Sequence, residues 1–176
     1  MMSASICLAL VSILLLTPVT ALCGDEYGFE HLMSDSIAPA LVIGEVALYC
    51  EGGEGRNAAF RGAEALLLTT LVVQGLKDTV RESRPNNESD LRSFPSGHTA
   101  SAFTLATIYA DHHPESAWIV YTGAALVGWS RVELNDHYWH DVLAGALIGH
   151  LIAKRVDGSR LFGLTPEGTV GLHFKF

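Results

Sequence analysis

The first 23 residues contain no charged side chain, so every Lys, Arg, Asp and Glu lies in the rest of the 176-residue chain. Basic residues are scarce, 11 against 19 acidic, for a net charge of -8. That balance excludes a nonspecific nucleic-acid binder, whose affinity rests on Lys and Arg against phosphate. There is no internal repeat and no low-complexity tract. With 49% hydrophobic and 17% charged residues, this excludes a disordered tail and a multidomain machine, leaving one domain. No HExxH and no Cys/His zinc spacing is present, so no metal centre is expected and no cofactor is implied. Cysteine is limited to Cys7, Cys23 and Cys50.

What is present begins with the leader. The mean hydropathy of +0.28 is carried almost wholly by Met1 to Cys23, and the body beyond averages close to zero. The apolar run Ile6 to Leu16 precedes Thr17-Pro18-Val19-Thr20-Ala21, where Val19 and Ala21 are small residues at cleavage spacing. Residues 1–22 therefore read as a signal peptide ending near Ala21 or, since no Lys or Arg precedes the run, as an uncleaved first membrane helix. Residues 23–176 form the domain. Cleavage would remove Cys7 and leave Cys23 and Cys50, whose pairing the sequence leaves open.

Beyond the leader, apolar segments alternate with polar punctuation. Ile37 to Cys50, Ala63 to Leu76, Thr99 to Ala110, Ala117 to Trp129 and Val142 to Ala153 read as helices, rich in Ala and Leu and several starting beside Ser or Asp. Gly52-Gly53-Glu54-Gly55, Arg84-Pro85-Asn86-Asn87 and His112-His113-Pro114 read as breaks. At ~1.5 Å per residue such segments fall short of a ~30 Å hydrocarbon core. The expected fold is thus all-α, a compact bundle of about five core helices. The tail, residues 163–176, holds the alternating pattern Val170 to Phe176, a short strand or extended strap.

Chemistry concentrates in three stretches. Lys77 and Arg84 stand seven residues apart, about two helical turns, with Arg81 near the same face and Pro85 stopping the helix. Cations at a helix end also complement its dipole without further purpose. In Ser93-Phe94-Pro95-Ser96-Gly97-His98-Thr99 a loop enters an Ala-rich helix, exposing the Ser96 hydroxyl and the Gly97 amide to an anion, with His98 at the rim. The plain alternative there is a capped helix with a surface histidine. In Ser130-Arg131 through Asp141, His137 and Asp141 are four apart, so on a helix the carboxylate can hold one ring nitrogen while the other faces the site. His140 lies three residues on, and His112 and His113 sit elsewhere, so a metal-binding or solvated histidine cluster is the competing reading.

Lys77-x6-Arg84-Pro85, Pro95-Ser96-Gly97-His98 and Ser130-Arg131-x5-His137-x3-Asp141, in that order, resemble the tripartite signature of the type 2 phosphatidic acid phosphatase and vanadium haloperoxidase superfamily, with every signature position filled. The resemblance implies that His137 attacks phosphorus to form a phosphohistidine and that Asp141 orients it. His98 would protonate the leaving alkoxide and then activate water. Lys77, Arg84, Ser96, Gly97 and Arg131 would hold the phosphate oxygens, with no metal and no cofactor. The expected partner is a phosphorylated small molecule or lipid, with association to a membrane surface. The expected location is the periplasm or the periplasmic face of the inner membrane. Integral lipid phosphatases of this kind resemble six-helix proteins, a number this chain reaches if its N-terminal segment is counted. A vanadate-dependent haloperoxidase, or a silent envelope protein retaining the fold, are the alternatives.

Overall fold

The computed structural model describes residues 37–158, 162–164 and 170–172. The leader, Cys23 and most of the tail lie outside the described residues; Cys50 takes part in a disulfide. Among the described residues five helices follow one another: α1 (Ile37–Cys50), α2 (Gly53–Val80), α3 (Gly97–His112), α4 (Ala117–Glu133) and α5 (Trp139–Gly158), with a 3₁₀ turn at Pro114–Ser116. The architecture is the expected all-α bundle. A two-stranded antiparallel ribbon, β1 (Phe162–Leu164) with β2 (Val170–Leu172), pairs Gly163 with Gly171; the rest of the tail's alternating pattern lies outside the described residues.

α3 is the central helix. Ala100, Ala102, Thr104, Leu105, Ala106, Thr107, Ile108 and Ala110 are all buried, and α2, α4 and α5 pack around it, as expected of a helix apolar on every side. α5 crosses it most closely. A Cβ on Gly145 would lie 2.5 Å from the Ser96 carbonyl oxygen, and one on Gly149 would lie 2.1 Å from that of Ala100. Two glycines four residues apart let the backbones meet, the small-xxx-small contact of membrane helices. α2 turns Ala58, Gly62, Ala65, Thr69 and Val73 inward, at three- and four-residue spacing.

Large apolar side chains point the other way. Leu67 and Leu71 on α2, Trp118 and Ile119 on α4, and Leu143, Leu147 and Leu151 on α5 are exposed, Leu147 by 59% and Trp118 by 71%. Small residues mediate many of the helix contacts while these large apolar side chains form exposed outer faces.

The helix expected at Ala63 to Leu76 runs over 28 residues, Gly53–Val80, about 42 Å at ~1.5 Å per residue. The glycine-rich break is only Glu51 and Gly52. Positive φ at Gly52 (70°) and Gly53 (45°) makes the turn, and Gly55 already lies in the helix, where a Cβ would sit 2.6 Å from the Leu48 carbonyl oxygen. Accordingly the shortfall against a hydrocarbon core does not hold for α2, which is long and apolar enough to cross a membrane.

Candidate active site

The C-terminal ends of α2 and α4 meet the N-terminal ends of α3 and α5 at one end of the bundle. A cavity of about 390 Å³ opens there, lined by Thr69, Thr70, Val73, Gln74, Lys77, Arg84, Gly97, His98, Ser101 and His137. All three stretches singled out in the sequence reach it.

Lys77 occupies the last turn of α2 and donates from Nζ to the carbonyls of Arg92 (2.5 Å) and Ser93 (3.2 Å). Two of its three N–H donors thus tie it to the loop before α3. α2 stops at Val80, with Arg81 left-handed (φ 54°) at its cap. Arg84 is therefore beyond the helix, and the seven-residue helical spacing does not explain its placement. A tight loop carries it instead: its N–H donates to the Asp90 carbonyl (3.1 Å), its carbonyl accepts from Asn87 (3.3 Å), and its Nε meets Asp90 Oδ2 at 2.8 Å.

Ser93 is fully buried, and its hydroxyl donates to Asp141 Oδ2 at 2.5 Å. The Phe94–Pro95 peptide is cis. Ser96 caps α3: its N–H donates to the Asp141 carbonyl (3.1 Å), while its buried hydroxyl is 2.9 Å from the Thr99 hydroxyl. The Ser96 side chain thus faces Thr99 and does not line the cavity, where an anion-binding hydroxyl was expected. Gly97, the first residue of α3, lines the cavity and presents the positive end of the helix to it.

Arg131 ends α4, buried, and its Nη2 donates to Asp136 Oδ2. Asp136 also reaches Arg84 Nη1 (3.7 Å) and accepts from Asn86 Nδ2 (2.7 Å). One carboxylate thereby joins the Arg84 loop to the turn after α4.

His137 lies in that turn, ahead of α5 rather than on a helix, so the four-residue helical argument is also corrected. Left-handed Asn135 (φ 54°) reverses the chain, and the N–H groups of Asp136 and His137 both donate to the Arg131 carbonyl (3.1 and 3.2 Å). His137 Nδ1 stands 3.4 Å from Asp141 Oδ2, facing it at a distance longer than a formed N–H···O bond. Asp141 is fully buried. Its Oδ2 accepts from the Tyr138 N–H (2.9 Å) as well as from Ser93, and its Oδ1 faces His140 Nε2 at 3.1 Å. A carboxylate at the third position of α5 that accepts from the N–H of the residue before the helix is the carboxylate half of a capping box. Burial pushes the His137 imidazole below its ordinary pKa of 6.5; the Lys77 and Arg84 cations add to this, and Asp141 opposes it. The ring is therefore neutral near pH 7, with Nδ1 toward Asp141 and Nε2 available to the cavity.

Sequence reasoning had no roles for Ser93, Asp90 and Asp136. Ser93 sits inside a stretch already singled out. The two aspartates carry no local signal, because their partners are fixed only when loops from different helices meet.

Two cations, a helix N-terminus and two histidines around one cavity make a site for a phosphate-like oxyanion. Residues 59–156 match the PAP2 superfamily, and the chain belongs to that superfamily. Lipid A 1-phosphatase of Porphyromonas gingivalis is 42% identical over 137 residues, 72% of this chain and 31% of that protein. The non-specific acid phosphatase of Salmonella typhimurium is 39% identical over 77 residues, 42% of this chain and 31% of that protein. This chain thus spans about a third of the length of these curated relatives. Among solved structures, Aquifex aeolicus LpxE superposes with a TM-score of 0.62 at 27% identity, covering 86% of this chain and 94% of that one. The first transmembrane PAP2-type phosphatidylglycerolphosphate phosphatase from Bacillus subtilis gives 0.53 at 26% identity, covering 89% and 86%.

Proposed function

We propose that this protein is a metal-independent phosphatase that hydrolyses a phosphate ester of a lipid, with its helices in a membrane and its site at the exterior face. The observation that carries this reading is the placement of His137 in a cavity bordered by Lys77, Arg84, Gly97 and His98, with Asp141 behind it. His137 Nε2 attacks phosphorus and the ester P–O bond breaks. The leaving alkoxide takes a proton from His98. Water then attacks the phosphohistidine, His98 takes its proton, and the P–N bond breaks to release phosphate and free His137.

Phosphoryl transfer asks chiefly for positioning and for stabilisation of charge spread over the nonbridging oxygens. Lys77, Arg84 and the α3 N-terminus are placed to supply both. Arg131, whose charge acts on His98, is the third cation for the phosphate and holds Asp136 and through it the Arg84 loop; Ser96 ties α3 to α5. The lipid part of the proposal is supported by the lipid phosphatases among the relatives and by the apolar outer faces of α2, α4 and α5. From the cavity, Thr69, Thr70, Val73 and Gln74 continue along α2 toward its exposed leucines, a path for an acyl chain beside the headgroup.

A hydrolysis panel in detergent tests this: lipid A, phosphatidylglycerophosphate, phosphatidic acid and undecaprenyl pyrophosphate against soluble phosphomonoesters. At least one lipid should be turned over far faster than the soluble esters, and chelators should leave that turnover intact. Equal turnover of the soluble esters would overturn the lipid assignment.

A further inference from the structure

A second cluster of ionisable side chains lies at the opposite end of the bundle. Glu51, in the α1–α2 turn, meets His112 and His113, where α3 ends. His112 Nε2 is 3.0 Å from Glu51 Oε2, and His113 Nε2 is 3.1 Å from Glu51 Oε1. His98 and His112 are fourteen residues apart on α3, about 21 Å at ~1.5 Å per residue, so this cluster is remote from the phosphate site. None of its residues lines that cavity.

We propose that Glu51, His112 and His113 form a binding site for a divalent transition-metal ion, Zn²⁺ foremost, with a solvent molecule completing its coordination. The donor set is two imidazoles and one carboxylate, the chemistry that zinc accepts in sites with an open fourth position. The spacing suits it. Four ligands at ~2.1 Å around a tetrahedral ion stand about 3.4 Å apart, and the two imidazole–carboxylate distances are 3.0 and 3.1 Å, with all three ligand atoms within 4.8 Å of one another. The His112 and His113 rings are close to perpendicular (81°) with centroids 4.7 Å apart, so both Nε2 atoms converge without the rings stacking.

A further carboxylate completes the geometry. Glu115 Oε1 lies 3.3 Å from His113 Nδ1, on the side of the ring away from Glu51. A carboxylate accepting from the far nitrogen fixes the tautomer whose Nε2 lone pair points inward, the usual support for a metal-bound histidine. In that tautomer the Nε2 lone pair and Glu51 Oε1 face each other as two electron-pair donors for a cation placed between them. The local backbone also keeps Glu51 in place: a Cβ on Gly55 would stand 2.7 Å from Glu51 Cβ and 3.0 Å from Glu51 Oε2. Bound metal would clamp the α1–α2 turn to the junction of α3 and the 3₁₀ turn, leaving the phosphatase chemistry metal-free.

The test uses the full chain purified in detergent and stripped with a chelator. Added Co²⁺ should bind at one equivalent with the visible absorption of a four-coordinate ion, and Zn²⁺ should displace it and raise the Tm. His113→Ala and Glu51→Gln should abolish the spectrum, Glu115→Gln should weaken binding about 10- to 100-fold, and His140→Ala, which disrupts the separate Glu82–His140–Asp141 group, should leave it unchanged. Zn²⁺ should also shield His112 and His113 of the wild type from diethyl pyrocarbonate, read by peptide mass spectrometry, which removes dependence on variants that fail to fold. Absence of Co²⁺ binding, binding that survives His113→Ala or is lost in His140→Ala, or no protection of the two histidines would each overturn the site; a metal-free clasp of imidazolium and carboxylate would give the first and last of these results.

Discussion

The Ser93 hydroxyl donates to Asp141 Oδ2 at 2.5 Å, both residues fully buried, and Asp141 Oδ2 is the oxygen that faces His137 Nδ1. Ser93 thus fixes the carboxylate against which the proposed nucleophile leans. A hydrogen bond to a buried charge contributes about 1.5–3 kcal/mol. Ser93→Ala should lower kcat about 10- to 100-fold with little change in KM, since Ser93 touches no substrate. Steady-state kinetics on the preferred lipid checks it; an unchanged kcat would remove Ser93 from the site.

Arg84 is held by Asp90 at Nε and approached by Asp136 at Nη1, which orients the planar fork toward the cavity. Lysine offers neither the fork nor the second anchoring contact. Arg84→Lys should reduce kcat/KM about 10- to 100-fold, the range lost with a charge-assisted hydrogen bond of about 1.5–3 kcal/mol. Retention of kcat/KM within twofold would contradict a phosphate-binding role.

The sign of the His137 shift sets the pH response. Burial, Lys77 and Arg84 lower its pKa from 6.5, so the neutral, nucleophilic ring persists below the usual imidazole range and is lost only on further acidification. The acid limb of kcat/KM, which reports the free enzyme, should therefore fall at a pH below 6.5. A limb at 7 or above, following His137 in an NMR titration, would contradict the site's electrostatics.

The exposed leucine stripe of α5 separates lipid from water as its neighbour. Leu147, 59% exposed, would tolerate Glu on a water-soluble bundle. In a bilayer a charge at this depth costs about 2.5–3.5 kcal/mol on insertion scales. Leu147→Glu should release protein from membranes on carbonate extraction or reduce its accumulation severalfold, whereas wild-type behaviour of the variant would argue that this face meets water.

At the α3–α5 crossing, Gly149→Ala would set a methyl 2.1 Å from the Ala100 carbonyl oxygen. The contact is backbone and cannot swing aside, so the helices must separate, at about 1–3 kcal/mol or more. Lower thermal stability in detergent is expected, with activity falling as α3 shifts; an unaltered melting temperature would show that the crossing is looser than described.

The helices were legible because Ala- and Leu-rich segments between polar breaks have few alternatives, yet which side of each faces outward was not. Ala58, Ala65 and Thr69 point inward while Leu67 and Leu71 point outward, and mean hydropathy cannot separate a small buried residue from a large lipid-facing one. The start of α2 was hidden by Gly53 and Gly55, weak helix formers, and by Arg56 and Arg61, whose charges interrupt the apolar run. The site's parts were legible as three stretches, and their order carried the resemblance. Their local geometry was not: Arg84 and His137 are both positioned by loops that helical spacing does not describe, Arg131 is tied to Asp136, and the Ser96 hydroxyl meets that of Thr99. Those pairings depend on tertiary contacts between segments, which no local pattern encodes.

The most direct test of the account is rapid-quench labelling with a ³²P-labelled phosphate ester, followed by alkaline separation of acid-labile phosphohistidine and peptide mapping. A transient adduct is expected on His137 in the wild type, accumulating in His98→Ala when the ester has a leaving group that needs no proton, and absent from His137→Ala. An adduct on another residue, or His137→Ala retaining both adduct and turnover, would contradict it.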